Sequence, residues 1–267
     1  MYYEFGSRVN DPSADSADPR RLGYHLPMCG RFTLRSVDRL KEKLKTLDWA
    51  DISRLPLLGP RYNIAPSQEV LTITQPENEP ALNVMTWGLI PSWSREPAGF
   101  INARAETLEE KPSFTESFAR RRCLIPADGF YEWQRNGKTR QPYYFQMKDE
   151  ASFAFAGLWD RWRNPDNKFS SAAQSAAIIS CSIITTTPNE LLMTIHDRMP
   201  VILGPEDYDR WLRKDARPEE LKELLAPFPA GEMKSFPVSP QVNHAGADGA
   251  QLVEPVEVKE SEQGMLF

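Results

Sequence analysis

Along the middle of the chain, apolar residues alternate with polar ones or run in short blocks, and long helical stripes are scarce. Residues 70–74 and 81–90 read as strands, as do 124–126 and 130–134. Asn136-Gly137 is a strong hairpin signal leading into a further strand over 142–147. Residues 152–162 and 177–187 read as long central strands, joined by a polar, small-residue loop over 164–176. Shorter strands follow at 199–203 and 234–238. Helical spacing is confined to a few places. Val37, Leu40, Leu44 and Leu47 recur at a helical period, with Ser36 as the N-cap. Residues 113–121 read as a short Arg-rich helix, and two more helices cover 205–214 and 218–225. Strands in the middle with helices at the flanks predict an α+β fold: a single domain built on a curved, mostly antiparallel, barrel-like β-sheet with flanking helices. No internal repeat is present, and no linker splits the chain before its tail.

The chain has 267 residues, of which 40% are hydrophobic, enough for a substantial core. No apolar run approaches the ~20 residues of a membrane span. The prefix, residues 1–28, is rich in Asp, Ser, Pro and Arg and has no apolar core of a secretory signal. It reads as a mis-assigned start or a disordered arm. Three cysteines without paired spacing argue against a disulfide framework and for a cytoplasmic location. No Cys or His pair has metal-ligand spacing, so neither metal nor cofactor is expected. The net charge of −5 speaks against a broadly basic, nucleic-acid-binding surface. Yet acid gathers at Glu219, Glu220, Glu223 and in the tail (Glu254, Glu257, Glu260, Glu262), while Arg31, Arg61, Arg104, Arg120, Arg121, Arg122 and Arg198 sit elsewhere. Either those arginines face phosphate in a local groove, or they make ordinary surface ion pairs.

Met28-Cys29-Gly30-Arg31-Phe32 reads as a hidden start followed by a reactive cysteine. With Met28 removed, Cys29 carries an α-amine and a thiol on adjacent carbons, both with a nucleophilic fraction near neutrality. Such a pair traps aldehydes: the amine forms an imine, and the thiol closes a five-membered thiazolidine in an intramolecular step. The competing reading makes Cys29 one more small buried residue. Downstream stand Arg61-Tyr62-Asn63-Ile64-Ala65-Pro66, Trp87-Gly88-Leu89-Ile90-Pro91-Ser92-Trp93 and Ile101-Asn102-Ala103-Arg104-Ala105-Glu106-Thr107. Cys123-Leu124-Ile125-Pro126-Ala127-Asp128-Gly129-Phe130-Tyr131-Glu132-Trp133 and Ile195-His196-Asp197-Arg198-Met199-Pro200 complete the series.

In this order the motifs resemble the SOS-response-associated peptidase (SRAP) family, whose members cross-link to abasic sites in single-stranded DNA. The resemblance runs from Met28 to about Val258 and departs from the family in the prefix, since members begin at the cysteine once Met is removed. It implies Cys29 as nucleophile and Asn102 as the amide that holds the amine and the sugar. Glu132 would be the general acid and base, its pKa raised by Tyr131 and Trp133 beside it, and His196 would shuttle the proton of the freed sugar hydroxyl. Without the resemblance, Asn102 is a turn amide, Glu132 a solvent-facing strand residue and His196 a structural partner of Asp197. Arg104 and Arg198 lie two positions beyond Asn102 and His196, on the same strand face, as candidates for flanking phosphates. Trp87 and Trp93 would stack on bases or pack in the core, and Thr185 would donate to a phosphate.

The implied function is sensing abasic sites by a thiazolidine cross-link through Cys29, which shields the lesion during replication-linked repair in a SOS-type DNA-damage response. Lyase-type release of the site uses the same imine chemistry. Two other readings stay open: a thiol peptidase or N-terminal-nucleophile hydrolase using Cys29, His196 and Asn102, including self-removal of the leader, and a nucleic-acid-binding module with no covalent step. Residues 259–267 form a separate tail, and Gln263-Gly264-Met265-Leu266-Phe267 resembles the short bacterial motif that docks into the replication sliding clamp. The expected setting is a cytoplasmic monomer at the nucleoid or replication fork.

Overall fold

Residues 30–36, 59–76, 79–137, 139–165 and 177–258 are described by the structure, a computed structural model. The prefix with Cys29, the expected helix over 36–47, most of the 164–176 loop and the 259–267 tail therefore lie outside the described residues. In chain order the strands are β1 (Arg31–Leu34), β2 (Arg61–Ile64), β3 (Glu69–Thr74), β4 (Ala81–Trp87) and β5 (Asn102–Arg104). Next come β6 (Arg122–Ala127), β7 (Gly129–Asn136), β8 (Thr139–Met147), β9 (Phe153–Trp162) and β10 (Ile178–Thr186). The last are β11 (Met199–Pro200), β12 (Ile202–Leu203) and β13 (Met233–Pro237). Short helices flank them: α1 (Thr115–Arg120), α2 (Glu190–Met193), α3 (Tyr208–Leu212) and α4 (Pro218–Glu223). The α+β reading holds.

One antiparallel sheet has the order β13-β8-β7-β1-β2. The other runs β11-β10-β4-β3-β6-β9-β12, with β5 parallel to β10. In this second sheet β9 also pairs with β10 over six registered residues, so the path curls back on itself. The seams β3–β6 (Ile73↔Leu124) and β4–β10 (two registered pairs) are short, which makes the sheet barrel-like rather than a continuous closed barrel. Side chains alternate across it. Cys123, Ile125, Phe155, Cys181 and Ile183 face inward and pack with Phe32, Phe130 and Phe145 of the five-stranded sheet. Leu124, Ala156, Leu158 and Ile184 face outward onto Phe118, Trp211, Leu221 and Leu225 of the helices. Gly157 faces inward, where a Cβ would lie 2.8 Å from the Cys123 sulfur.

Several boundaries differ from the sequence reading for local reasons. The strand expected over 81–90 stops at Trp87 because Gly88 takes φ +137° and Gly99 comes against its backbone; a Cβ on Gly99 would lie 2.5 Å from the Gly88 carbonyl oxygen. The strand expected over 199–203 is two pieces. Val201 between them donates its N–H to Ile184 and accepts from Ala156, bridging two strands at once. The helix expected over 205–214 begins as a 3-10 turn, Pro205–Asp207, before α3. β1 and β2 are not among the strands the sequence predicts, and β5 enters only as the extended segment that Asn102 and Arg104 share. Each is short, and β1 is buried on both faces, so none shows a clean alternation.

Candidate functional site

Gly30 is buried, and Arg31 after it opens β1 opposite Tyr131 of β7. Extending that antiparallel register by one residue puts Gly30 across from Glu132. Glu132 is 2% exposed. Its burial has a different cause from the one the sequence suggested. Tyr131 and Trp133 point to the opposite face of β7, where they pack with Tyr144, Val238 and Val242. Glu132 instead shares its face with Phe130 and stands in register with Tyr143 of β8. The main core, not its sequence neighbours, removes it from water.

Asn102 opens β5 half-buried, Ala103 is buried and Arg104 is exposed, so Asn102 and Arg104 share one side, that of Ile183 and Thr185 with which they stand in register, as alternation predicts. His196 is placed by the end of α2. Asn189 caps that helix through the Leu192 N–H at 3.0 Å, is itself tied to the Phe228 carbonyl at 2.7 Å, and the His196 N–H closes onto Leu192 O at 2.8 Å. His196 Nδ1 lies 3.2 Å from the Arg198 backbone N–H, which leaves Nε2 as the ring nitrogen not engaged by this turn. The Asp197 carboxylate lies 2.9 Å from the same Nδ1 but is 87% exposed, and solvent screens it.

Three contacts draw these segments together. Gln134, two residues beyond Glu132 on the same face, donates to Thr194 O at 3.5 Å. Ile101 and Ile195 pack on the same core as Phe32 and Phe130. Trp87 donates its indole N–H to Ile101 O at 2.9 Å and meets Phe32 of β1 edge-on at 5.2 Å. The segments that carry Asn102, Glu132 and His196 thus border the same core as β1.

The DNA-contact candidates separate. Trp87 is fully buried and holds the core, so it presents no face on which a base could stack. Trp93 is 63% exposed. Thr185 is fully buried, its hydroxyl oxygen without a partner among the described residues; it is not at the surface. Arg198 lies in an irregular segment rather than a strand, and its guanidinium is gripped by Glu106 through both oxygens, at 2.6 and 2.8 Å, and by Thr185 O at 2.7 Å. Arg104 has no ion pair among the described residues.

Sequence reasoning passed over two features here. Glu106 meets the charge of Arg198, and the only hint was its place two residues past Arg104. Arg31 donates to Asn63 Oδ1 at 2.9 Å and Val242 O at 2.7 Å, with no carboxylate partner among the described residues, and burial lowers its pKa. Both Arg31 and Asn63 stand in the quoted motifs, but their acceptors come from the 242–247 segment, which only the fold brings near.

The sequence of residues 28–245 matches the family model described as SOS response associated peptidase (SRAP). The chain is similar to the abasic site processing protein YoqW of Bacillus subtilis (strain 168), 43% identical over 233 residues that cover 85% of this chain and 99% of that one. It is 30% identical to the abasic site processing protein YedK of Escherichia coli (strain K12), over 86% of this chain and all of that one. Among solved structures it resembles a protein from Bacteroides thetaiotaomicron with a TM-score of 0.73 at 28% identity, covering 86% of this chain and 100% of that chain.

Proposed function

The chain belongs to the SOS response associated peptidase family, and on that premise we propose that it processes abasic sites in single-stranded DNA by capturing them covalently through Cys29. The reading rests above all on the buried Glu132 carboxylate, held across from the residue that follows Cys29. An abasic deoxyribose opens to an aldehyde. The Cys29 amine adds to that carbon, water leaves as the imine forms, and the thiol sulfur then adds to the same carbon while its proton passes to nitrogen. One C–N and one C–S bond replace the C=O, giving the thiazolidine. Glu132 delivers and removes the protons of ring opening and dehydration. His196 Nε2 serves the sugar hydroxyl that opening releases, and Asn102 holds amine and sugar in line. Arg104 meets a neighbouring phosphate and Trp93 stacks on an exposed base.

The prefix favours a second activity of the same residues. A thiol at Cys29 can take the acyl group of Met28: the C–S bond forms as the peptide C–N bond breaks, the thiol proton passing to the nitrogen and freeing the amine, and water then hydrolyses the thioester, restoring the thiol and releasing the leader as a carboxylic acid. His196 and Asn102 would assist as base and orienting amide. The tail at Gln263-Gly264-Met265-Leu266-Phe267 would bring the protein to the sliding clamp, an association that deletion of 263–267 should abolish in a pull-down.

The test is a denaturing gel of protein beginning at Cys29 after incubation with an abasic oligonucleotide. A shifted covalent band is expected, with slower capture by Glu132→Gln. Cross-linking by Cys29→Ala as efficient as the parent's defeats the mechanism. Mass spectrometry of the first residue of the full chain decides whether the leader is shed, and Cys29→Ala should block shedding if the chain removes it itself.

A further inference from the structure

The strand ring formed by β10, β4, β3, β6 and β9 has two ends. At the end near Asn102, inward side chains meet the five-stranded sheet. The other end is an open mouth with a cavity of about 430 Å³, to which all five strands contribute. Asn83, Met85, Trp159 and Ile179 line its wall, and Arg120, Arg121, Arg161 and Lys214 stand around it, with no acidic side chain among the described residues of the lining. Arg121 is engaged by Glu116 at 2.8 Å and Asp160 at 3.2 Å, and Lys214 by the Pro76 carbonyl. Arg120 and Arg161 are exposed and have no ion pair among the described residues. Arg122 adds a buried charge held by the carbonyls of Phe118, Ala119, Trp211 and Arg213, at 2.6 to 2.8 Å, with its guanidinium 5.9 Å from the centre of the Trp211 ring. Burial pushes its guanidinium down to about 10. Concentrated positive charge over a partly apolar wall in a barrel mouth suits an anion with planar groups attached.

Six residues of β10 separate Ile179 at this mouth from Thr185, in register with Arg104 at the Asn102 end, roughly 20 Å at about 3.3 Å per residue. Between the two ends, the 90–99 loop crosses the outside of the ring. It is fastened by the Ser92 N–H on Asp160 at 2.8 Å and by the Trp162 indole on Ser94 O at 2.7 Å, beside the strand segment that supplies Arg161. Trp93 on that loop and Phe100 after it are the exposed aromatics along the way, 63% and 44% exposed. Base-stacking rings between two cationic stations are what a single strand needs to follow a surface.

We propose that the mouth is a second phosphate site, separate from the Asn102 end, that takes phosphodiester groups of the captured strand several nucleotides from its lesion. The choice of a DNA strand rests on the proposed function; the phosphoryl chemistry does not. The full chain is compared with R120Q/R161Q and with R140Q/K148Q, a control that removes two exposed cations elsewhere. Three readouts are used: pyrophosphate titration by calorimetry, affinity for undamaged oligothymidylates of increasing length, and cross-linking of an abasic oligonucleotide too short to leave the Asn102 end. The expected result is pyrophosphate binding that R120Q/R161Q loses, and long-oligonucleotide affinity reduced on the order of tenfold. Short-oligonucleotide capture and the control variant should match the parent. Loss of pyrophosphate binding with DNA affinity unchanged at every length overturns the strand as source. Equal behaviour of R120Q/R161Q and parent in both binding readouts overturns the site. Failure of the parent to cross-link defeats the Cys29 reading instead, while the pyrophosphate titration still decides the mouth.

Discussion

Arg198 shows how one partner changes what a residue can do. The Glu106 carboxylate that holds it has a lowered pKa, chiefly through the hydrogen bond from Arg198. A carboxylate depressed in the folded state stabilises above its unfolded pKa and loses that contribution as pH falls through the folded value. The Glu106 side chain is 47% exposed, so screening keeps its stabilisation under about 1 kcal/mol. Glu106→Gln should therefore lower the denaturation midpoint slightly at neutral pH and not at all in acid; a deficit that persists in acid rejects this account. The same variant frees the Arg198 guanidinium and should tighten binding of undamaged single strands a few-fold. Cysteines separate in the same way. Burial pushes the thiols of Cys123 and Cys181 up, leaving little thiolate at neutral pH. A thiol reagent should modify Cys29 in the native protein and reach the other two only after denaturation, as counted by mass spectrometry.

At the scale of elements, the β6–β7 corner fixes where Glu132 stands. Asp128 accepts from the Thr33 hydroxyl at 2.5 Å and from the Arg35 N–H at 2.6 Å, tying the corner to β1. The Tyr144 hydroxyl completes the knot at 2.8 Å from Thr33 Oγ1 and leaves Gly129 no room for a side chain: a Cβ there would lie 2.0 Å from the Tyr144 oxygen. Gly129→Ala should destabilise the fold by about 1–3 kcal/mol, read as a lowered thermal midpoint, and slow capture because β7 shifts. An unchanged midpoint would mean the corner is looser than this packing requires. Strands of this kind were legible where β-branched or aromatic residues run together beside a turn signal, as in β3 and β8, although the fold buries consecutive residues of both. They were not legible in β1 and β2, whose few residues take their environment from distant strands rather than from a repeating pattern.

For the molecule as a whole, a net charge of −5 coexists with cations collected at particular places. Among the described residues no helix is long and apolar enough to cross a membrane. If the strand is held by local phosphate contacts, affinity should fall steeply with salt despite the acidic total. Arg104→Gln should then reduce the slope of log affinity against log salt by about 0.7, the value for one phosphate contact on a single strand. A slope unchanged within error removes Arg104 from the phosphate contacts.

By itself the sequence determined the strand-rich α+β character and the order of the motifs, because side-chain period and turn chemistry act between near neighbours. It also singled out Asn102, Glu132 and His196 as candidates, through the motifs that hold them. Only the tertiary structure decided that Trp87 is core, that Arg198 is met by Glu106, and that Glu132 is buried by the sheet face rather than by its flanking aromatics. The ring mouth with its unpaired arginines belongs to the same class. Burial and charge pairing are set by residues far apart along the chain, and no local pattern records which of them meet.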